Sequence, residues 1–279
     1  MALSKMIALP ISLALGAILV YVYLLDNPEY SSWIIAPIIL LAALYTVHGE
    51  IDRRWRRSHP RPVPQALQLA CKKWFPMMDS FSQSQHQSFF QHLDFGIAEL
   101  EIEPQGFKTV PPEVLAGISG QIALLKVLKP AAAKALDDYV KIILYQHPFP
   151  SPQYKEHLHA SELYIPDHVT IFCIDHVIKS LQSPSQFMRV VLYEFCKVIL
   201  MVEDLPGQSL TPDQLAEISG FSPENVIAYV GLPKEMIDYS ALTCSYFIDY
   251  TARYKEVAPD QYRHMTEFFA IQPLPAAVG

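Results

Sequence analysis

Five consecutive residues in an apolar stretch have the spacing of a metal-dependent hydrolytic site: Tyr193-Glu194-Phe195-Cys196-Lys197. On a helix, the first and fifth positions share one face. In many zinc peptidases, histidines at these two positions bind a zinc ion, and the glutamate between them acts as general base on metal-bound water. Here tyrosine and lysine occupy those positions. A lysine ammonium has no free lone pair and neutral tyrosine is a poor zinc ligand, so only Glu194 retains its part of this chemistry.

The pentad also has a purely structural interpretation. Glu194 and Lys197 are three residues apart, which predicts an ion pair along the helix, worth about 0.2–0.5 kcal/mol if it is exposed. Tyr193 and Phe195 are predicted to be packing residues of the apolar helix.

Other residues with catalytic or metal-binding potential are scattered along the chain. Asp175-His176 resembles an orienting dyad, but no Ser or Cys is identifiable as its nucleophile. A GxSxG elbow and a glycine-rich phosphate loop are both missing from the sequence. Because no histidine pair has the i,i+4 spacing with a carboxylate partner, six histidines are interpreted as separate surface residues rather than a relocated metal site: His147, His157, His159, His168, His176 and His264.

Hydrophobic periodicity places these residues in a mostly helical domain with a small sheet. Helical spacing predicts six helices, over residues 82–100, 113–129, 183–201, 211–230, 233–256 and 259–270. Runs of β-branched and apolar residues predict two strands, 141–145 and 168–174. Because helices outnumber strands, the domain is expected to be α+β.

Several segments resemble, in order and spacing, the Mlc titration factor A family of zinc peptidases, over roughly residues 72–273. Residues 189–197 resemble that family's N-V-V-x-H-E-F-A-H helix. Residues 258–262 resemble its N-P-A-E-F segment, whose Glu is the third zinc ligand. Four further segments resemble the family in the same order. Residues 120–124 resemble its A-Q-A-C helix, and residues 142–149 its V-L-V-Y-P-D-A-F strand and turn. Residues 161–164 resemble its G-E-x-W segment, and residues 169–178 its V-V-L-S-W-x-D-V strand.

This resemblance implies a metallopeptidase-like domain whose metal-ligand positions are degenerate. Tyr193 and Lys197 match the two zinc-binding histidines, and Gln261 matches the ligand glutamate. Glu194 keeps the general-base position as a vestige. Because a catalytic zinc needs about three protein ligands, we expect no metal, no cofactor and no hydrolysis by the family mechanism.

Two uncharged stretches near the N-terminus predict a transmembrane helical hairpin. Residues 6–25 and residues 30–49 contain no Asp, Glu, Lys or Arg, and about twenty helical residues span the ~30 Å hydrocarbon core of a bilayer. The alternative for the first stretch is a cleaved signal peptide. It lacks an A-x-A-like cleavage site, however, and a second apolar stretch follows almost at once.

Charge gives the expected orientation and excludes one class of partner. The basic cluster Arg53, Arg54, Arg56 and Arg57 follows the second stretch, which predicts a cytoplasmic C-terminal domain and contact with anionic lipid head groups. Given the family resemblance, the membrane is expected to be the bacterial inner membrane. Residues 74–279 contain 13 Lys and Arg against 24 Asp and Glu, a formal charge of −11, which argues against nucleic-acid binding.

These observations divide the chain into four parts. A transmembrane hairpin over residues 1–50 is followed by a basic, proline-rich linker over 51–71, the peptidase-like domain over 72–273 and a tail over 274–279. Residues 58–64, with prolines at alternate positions, are predicted to form an extended spacer. The four cysteines have no CxxC spacing and are interpreted as buried free thiols.

The sequence therefore predicts a membrane-anchored pseudopeptidase that acts as a binding, scaffold or accessory subunit of a membrane protein complex. Expected partners are other membrane proteins, together with an extended peptide that adds to a strand edge near residues 168–174. One alternative is an active metallopeptidase or hydrolase with relocated ligands. Another is a regulator that sequesters a transcription factor, as the family name implies for its founding member.

Overall fold

The computed structural model describes residues 3–271 and divides into two compact units, with the boundary between Arg61 and Pro62. The tail predicted over residues 274–279, and the last two residues of the predicted 72–273 domain, lie outside the described residues.

The N-terminal unit is a pair of long apolar helices. Helix α1 (Leu3–Leu19) continues into a π-helical turn (Val20–Leu24), and a 3-10 turn (Pro28–Ile34) leads into α2 (Ile35–Ser58). The two helical runs are long and apolar enough to cross a membrane. Most of their large apolar side chains are exposed on the surface of the unit, as expected for helices that face lipid.

Asp52 connects the two ends of this hairpin. Its Oδ1 accepts a hydrogen bond from the Ser4 backbone N–H at 2.7 Å, and its Oδ2 accepts from Ser4 Oγ at 2.5 Å. A carboxylate at a helix N-terminus satisfies unpaired N–H groups and interacts favourably with the helix dipole. Because Ser4 begins α1 and Asp52 lies near the end of α2, the helices are antiparallel.

Helix α2 extends further than the predicted linker allows. The basic cluster at residues 53–57 lies within this helix, which ends at Ser58. Only residues 59–64, which include the alternating prolines, have neither helix nor strand before the next helix begins at Gln65. The linker predicted over residues 51–71 is therefore mostly helical, and the spacer is shorter than predicted.

A four-stranded sheet forms one layer of the C-terminal unit. Its strands are β1 (Glu101–Gln105), β2 (Lys141–Tyr145), β3 (Ser161–Tyr164) and β4 (Val169–Cys173), in the order β1-β2-β4-β3. The first three in that order are parallel, and β3 is antiparallel to β4. The two predicted strands are confirmed, and β1 and β3 are additions.

The position of β4 corrects one prediction. This strand lies inside the sheet, with β2 on one side and β3 on the other, so it has no open edge. Peptide addition near residues 168–174 is therefore wrong. Strand β3 is the outer strand on that side, and its first two residues, Ser161 and Glu162, are only 1% and 2% exposed.

Helices make up most of the C-terminal unit, and the α+β prediction is confirmed. The helices are α3 (Gln65–Trp74), α4 (Gln83–Glu99), α5 (Pro112–Leu128), α6 (Ala133–Asp138), α7 (Ile174–Gln182), α8 (Val190–Leu200), α9 (Pro212–Ser219), α10 (Pro223–Val230), α11 (Tyr239–Asp249), α12 (Thr251–Val257) and α13 (Pro259–Phe268). Short 3-10 turns occupy Pro76–Ser80, Pro130–Ala132, Ile165–Asp167 and Lys234–Met236.

Three predicted helices differ from the structure at identifiable breaks. The helix predicted to begin at residue 183 begins at Val190. The helix predicted over 211–230 is two helices, because α9 ends at Gly220 in the left-handed conformation (φ 78°), which favours glycine. The helix predicted over 233–256 also divides in two, at Tyr250 between α11 and α12.

Helices α5 and α8 form the centre of the core and position the pentad. Of the 17 residues of α5, 14 are buried, so its apolar surface packs against protein. Gln121 of α5 accepts a hydrogen bond from the Leu192 backbone N–H through Oε1 at 3.1 Å. This buried bond satisfies one of the free N–H groups in the first turn of α8 and sets the position of that helix against α5.

Candidate functional site

The pentad lies beside a cleft between helix α8 and strand β3. The cleft has a volume of about 320 Å³, near the lower limit for ligand pockets. Helix α8 contributes Lys197, strand β3 contributes Ser161 and Glu162, and the loop before α11 contributes Asp238. The remaining lining residues are Gln153, Tyr154, Leu163, Ile165, Leu200, Met201, Leu232 and Met236.

Glu194 lies beneath this cleft and both of its carboxylate oxygens are engaged. Its Oε1 accepts a hydrogen bond from Ser161 Oγ at 2.6 Å, and its Oε2 is 2.8 Å from the Lys197 ammonium. The Glu194 side chain is 1% exposed, against 19% for Lys197. The predicted i,i+3 ion pair is therefore confirmed, but it is buried rather than exposed, so its strength does not follow the surface value.

Lys197 places a positive charge at the position that the family resemblance matches to a zinc-binding histidine. Its Nζ is 4.2 Å from the centroid of the Tyr193 ring, within cation–π range. Burial by itself lowers the pKa of the Lys197 ammonium. The neighbouring Glu194 carboxylate, with help from Tyr193, outweighs that effect and raises the pKa above its ordinary value. The amine stays protonated at neutral pH and offers no lone pair to a metal.

Tyr193 is likewise committed to contacts within the protein. Its hydroxyl oxygen accepts a hydrogen bond from the Asp238 backbone N–H at 2.9 Å. Burial raises the pKa of Tyr193 to about 12, because ionisation inside the core is unfavourable. The hydroxyl is therefore neutral at physiological pH and is a poor ligand for zinc.

Gln261, the predicted third ligand position, lies on a different helix from Tyr193, Glu194 and Lys197. It is on α13, where its Nε2 donates a hydrogen bond to the Pro206 carbonyl at 2.8 Å, and it does not contribute to the lining of the cleft. The structure therefore joins Tyr193, Glu194 and Lys197, but not the predicted third ligand position. These residues do not fit a zinc ion: one is an ammonium, one a buried neutral phenol and one an amide bound elsewhere.

The scattered histidines do not form a replacement site. Among residues 3–271, no group of three or more His, Cys, Asp or Glu side chains is arranged to hold a metal ion. Asp175 lies 3.9 Å from His147, whereas the His176 ring packs against Tyr229, with centroids 4.5 Å apart. Burial lowers the pKa of His176. His159 is fully buried, so its interpretation as a surface residue is wrong.

A buried acid–base pair, His159 and Glu162, was not recognised in the sequence. His159 Nε2 is 3.0 Å from Glu162 Oε2, and His159 Nδ1 is 3.1 Å from the His157 carbonyl oxygen. A carbonyl oxygen only accepts hydrogen bonds, so Nδ1 carries a hydrogen. A second proton must then lie between Nε2 and Oε2, and the pair has no net charge, whichever atom holds that proton.

One signal for this pair was present in the sequence. Residues 161–164 match the G-E-x-W segment of the resemblance, yet Glu162 received no role in the sequence interpretation. His159 and Glu162 are three residues apart on either side of a strand start, where spacing alone does not bring side chains together.

The cysteines agree with the sequence interpretation. Cys71, Cys173, Cys196 and Cys244 are all free and buried. Burial raises the pKa of the Cys71 thiol to about 12, so this thiol is unreactive at neutral pH.

Comparison with known protein families and with curated protein sequences finds no family model and no curated protein that matches this chain.

Proposed function

We propose that this protein is a membrane-anchored pseudopeptidase that acts as a binding, scaffold or accessory subunit of a membrane protein complex. In this proposal the former active site binds a partner and performs no hydrolysis. The chain retains the resemblance to the Mlc titration factor A family outlined above, together with a hairpin that anchors it.

The single observation that carries the proposal is the Lys197–Glu194 ion pair, with 2.8 Å between Nζ and Oε2. In a zinc peptidase the corresponding glutamate takes a proton from metal-bound water. Here an ammonium lies against the carboxylate, and a serine hydroxyl occupies its other oxygen. The positive charge that a metal would supply is thus built into the chain, but an ammonium cannot hold and ionise a water molecule as zinc does.

Support for the anchored arrangement comes from the two helical runs and the basic end of α2. Two spans bring both chain ends to one side of the membrane. Positively charged residues favour the cytoplasmic side, so residues 62–279 are proposed to lie in the cytoplasm of a bacterium. The arginines at positions 53, 54, 56 and 57 are proposed to contact anionic lipid head groups, at about 1 kcal/mol for each residue near the surface.

The experiment that tests the absence of zinc chemistry uses the full-length protein in mild detergent without chelator. Elemental mass spectrometry measures zinc per chain, and a fluorogenic peptide library measures hydrolysis. A catalytic site would hold about one zinc per chain; we expect a zinc content far below that and no hydrolysis. Glu194→Gln is the matched control, because any genuine activity by the family mechanism depends on this carboxylate.

Two results would overturn the proposal. One is stoichiometric zinc in the wild-type protein. The other is peptide hydrolysis that disappears in Glu194→Gln. Hydrolysis that persists unchanged in that variant and copurifies with the protein would favour the alternative of a hydrolase with relocated ligands, and would likewise count against the proposal.

A further inference from the structure

Glu162 has a carboxylate oxygen that no residue of the described chain satisfies. The side chain is almost fully buried, its Oε2 pairs with His159, and its Oε1 has no hydrogen-bond partner. A buried acceptor without a partner costs about 1–3 kcal/mol. Glu162 is among the residues that line the cleft, so a ligand there lies next to this side chain, and the unpaired oxygen needs an N–H or O–H donor.

The charges around the cleft favour a cationic donor. The His159–Glu162 pair has no net charge, and the Lys197–Glu194 pair has none either. Asp238 also lines the cleft, and its carboxylate, whose Oδ1 accepts from the Ala241 backbone N–H at 2.9 Å, is left as one excess negative charge. A single positive charge would neutralise the site, and low-dielectric walls strengthen such an interaction.

The shape of the cleft indicates a long side chain with an apolar stem. Its polar lining includes Ser161, Glu162 and Lys197. Around it lie Ile165, Met201 and Met236, each about half exposed. Methionine side chains adapt to irregular partners. A lysine or arginine side chain combines an apolar stem with a cationic tip, whereas an aliphatic side chain would leave the Glu162 oxygen unsatisfied.

We propose that the cleft binds a lysine or arginine side chain presented by a partner polypeptide, with Glu162 Oε1 accepting from its tip. This inference rests on the proposed function, because it assigns a ligand to the same site. It replaces strand addition at β4, which lies inside the sheet, with insertion of one side chain. The carboxylate form of Glu162, with the proton on His159, is the form that a cation stabilises.

The test pans a library of random linear heptapeptides displayed on phage against the full-length protein in detergent micelles. Three proteins are compared: wild type, Glu162→Gln and the control Glu156→Gln, which removes the same charge from an exposed position. Enriched peptides are then synthesised with arginine or with its uncharged isostere citrulline. Thermal unfolding verifies that Glu162→Gln is folded, and the citrulline comparison needs no protein variant.

We expect lysine or arginine to be enriched at one peptide position on wild type and on Glu156→Gln, and the enrichment to disappear on Glu162→Gln. Citrulline should weaken binding to wild type about tenfold, as expected for loss of a charge-assisted hydrogen bond. Equal enrichment on Glu162→Gln, enrichment of aliphatic or acidic peptides only, or no enrichment at all would overturn the inference. Zinc content is measured separately, so failure of the binding inference is distinguishable from failure of the pseudopeptidase proposal.

Discussion

Replacement of Lys197 by methionine tests whether the buried ion pair stabilises the fold as the structure indicates. The substitution keeps an unbranched apolar stem but removes the ammonium, and it leaves the Glu194 carboxylate with only the Ser161 hydroxyl as a donor. Removing one partner of a buried pair costs about 3–5 kcal/mol, mainly because the other charge remains desolvated.

The structure places the expected cost at the lower end of that range. Lys197 is 19% exposed, so water reaches the vacated position and partly solvates the carboxylate. Loss of the cation–π contact with Tyr193 adds a smaller amount. We therefore expect Lys197→Met to lower the free energy of unfolding by about 3 kcal/mol. In the double variant Glu194→Gln/Lys197→Met neither charge of this pair remains, so its cost should be at least about 2 kcal/mol less than the sum of the single variants.

The assay is urea unfolding of the full-length protein in detergent micelles, followed by tryptophan fluorescence. The chain has three tryptophans. Replacing Trp33 and Trp55 by phenylalanine leaves Trp74 as the single reporter in the C-terminal unit. Lys134→Met is the matched control, because Lys134 is exposed on α6, and it should change stability by less than about 0.5 kcal/mol.

Two outcomes would refute this reasoning. If Lys197→Met is as stable as Lys134→Met, the carboxylate is not desolvated in the way that its burial implies. If the costs of the two single variants add in the double variant, Glu194 and Lys197 are not energetically coupled, and the packing of each side chain must then explain its own effect.

Three further predictions concern the hairpin, a steric contact and alkaline stability. Asp52→Ala removes the cap on the first turn of α1 and should cost about 0.5–2 kcal/mol, measured as loss of helicity on titration with denaturing detergent; unchanged helicity would contradict the capping role. Gly231→Ala should cost more in thermal unfolding than Gly220→Ala. Both glycines have a left-handed conformation, but a Cβ at Gly231 would overlap the Leu158 carbonyl oxygen, whereas a Cβ at Gly220 would meet open space. Equal costs would contradict this steric explanation. Because the pKa of Lys197 is raised in the folded state, the stability that its charge contributes is complete below about pH 10.4 and is lost as the pH rises further. Lys197→Met should therefore lose less stability at alkaline pH than the wild type. Identical pH profiles of the two proteins would contradict the prediction.

The local elements were predictable because they depend on neighbouring residues. The hairpin follows from two uncharged stretches, each long enough to span a bilayer. Helix α4 follows from an apolar face and a capping box in which Ser82 and Gln85 bond reciprocally. Strand β2 matches its predicted bounds because an apolar run with strand-favouring Ile142, Ile143 and Tyr145 ends before His147-Pro148.

Errors occurred where a local signal was ambiguous. Residues 168–174 were correctly predicted to form a strand, but nothing in them tells an internal strand from an edge strand, since pairing on both sides comes from distant segments. Strand β1 was missed because its sequence, EIEPQ, is polar and contains Pro104, a residue that sheets accept at their edges. The start of α8 was predicted seven residues too early, because Ser183-Pro184-Ser185 has the composition of a helix start, whereas the helix begins at Val190.

The Glu194–Lys197 pair was predictable from the sequence alone, because residues three apart meet on any helix, and composition predicted two helices apolar enough to cross a membrane. Three facts come from the packing of the folded chain: this pair is buried beneath a cleft, Ser161 donates to Glu194, and Gln261 lies on α13 outside the lining of the cleft. The physical reason is that these contacts join residues on separate elements. Their distances depend on how α5, α8 and the sheet pack, and no local spacing encodes that packing.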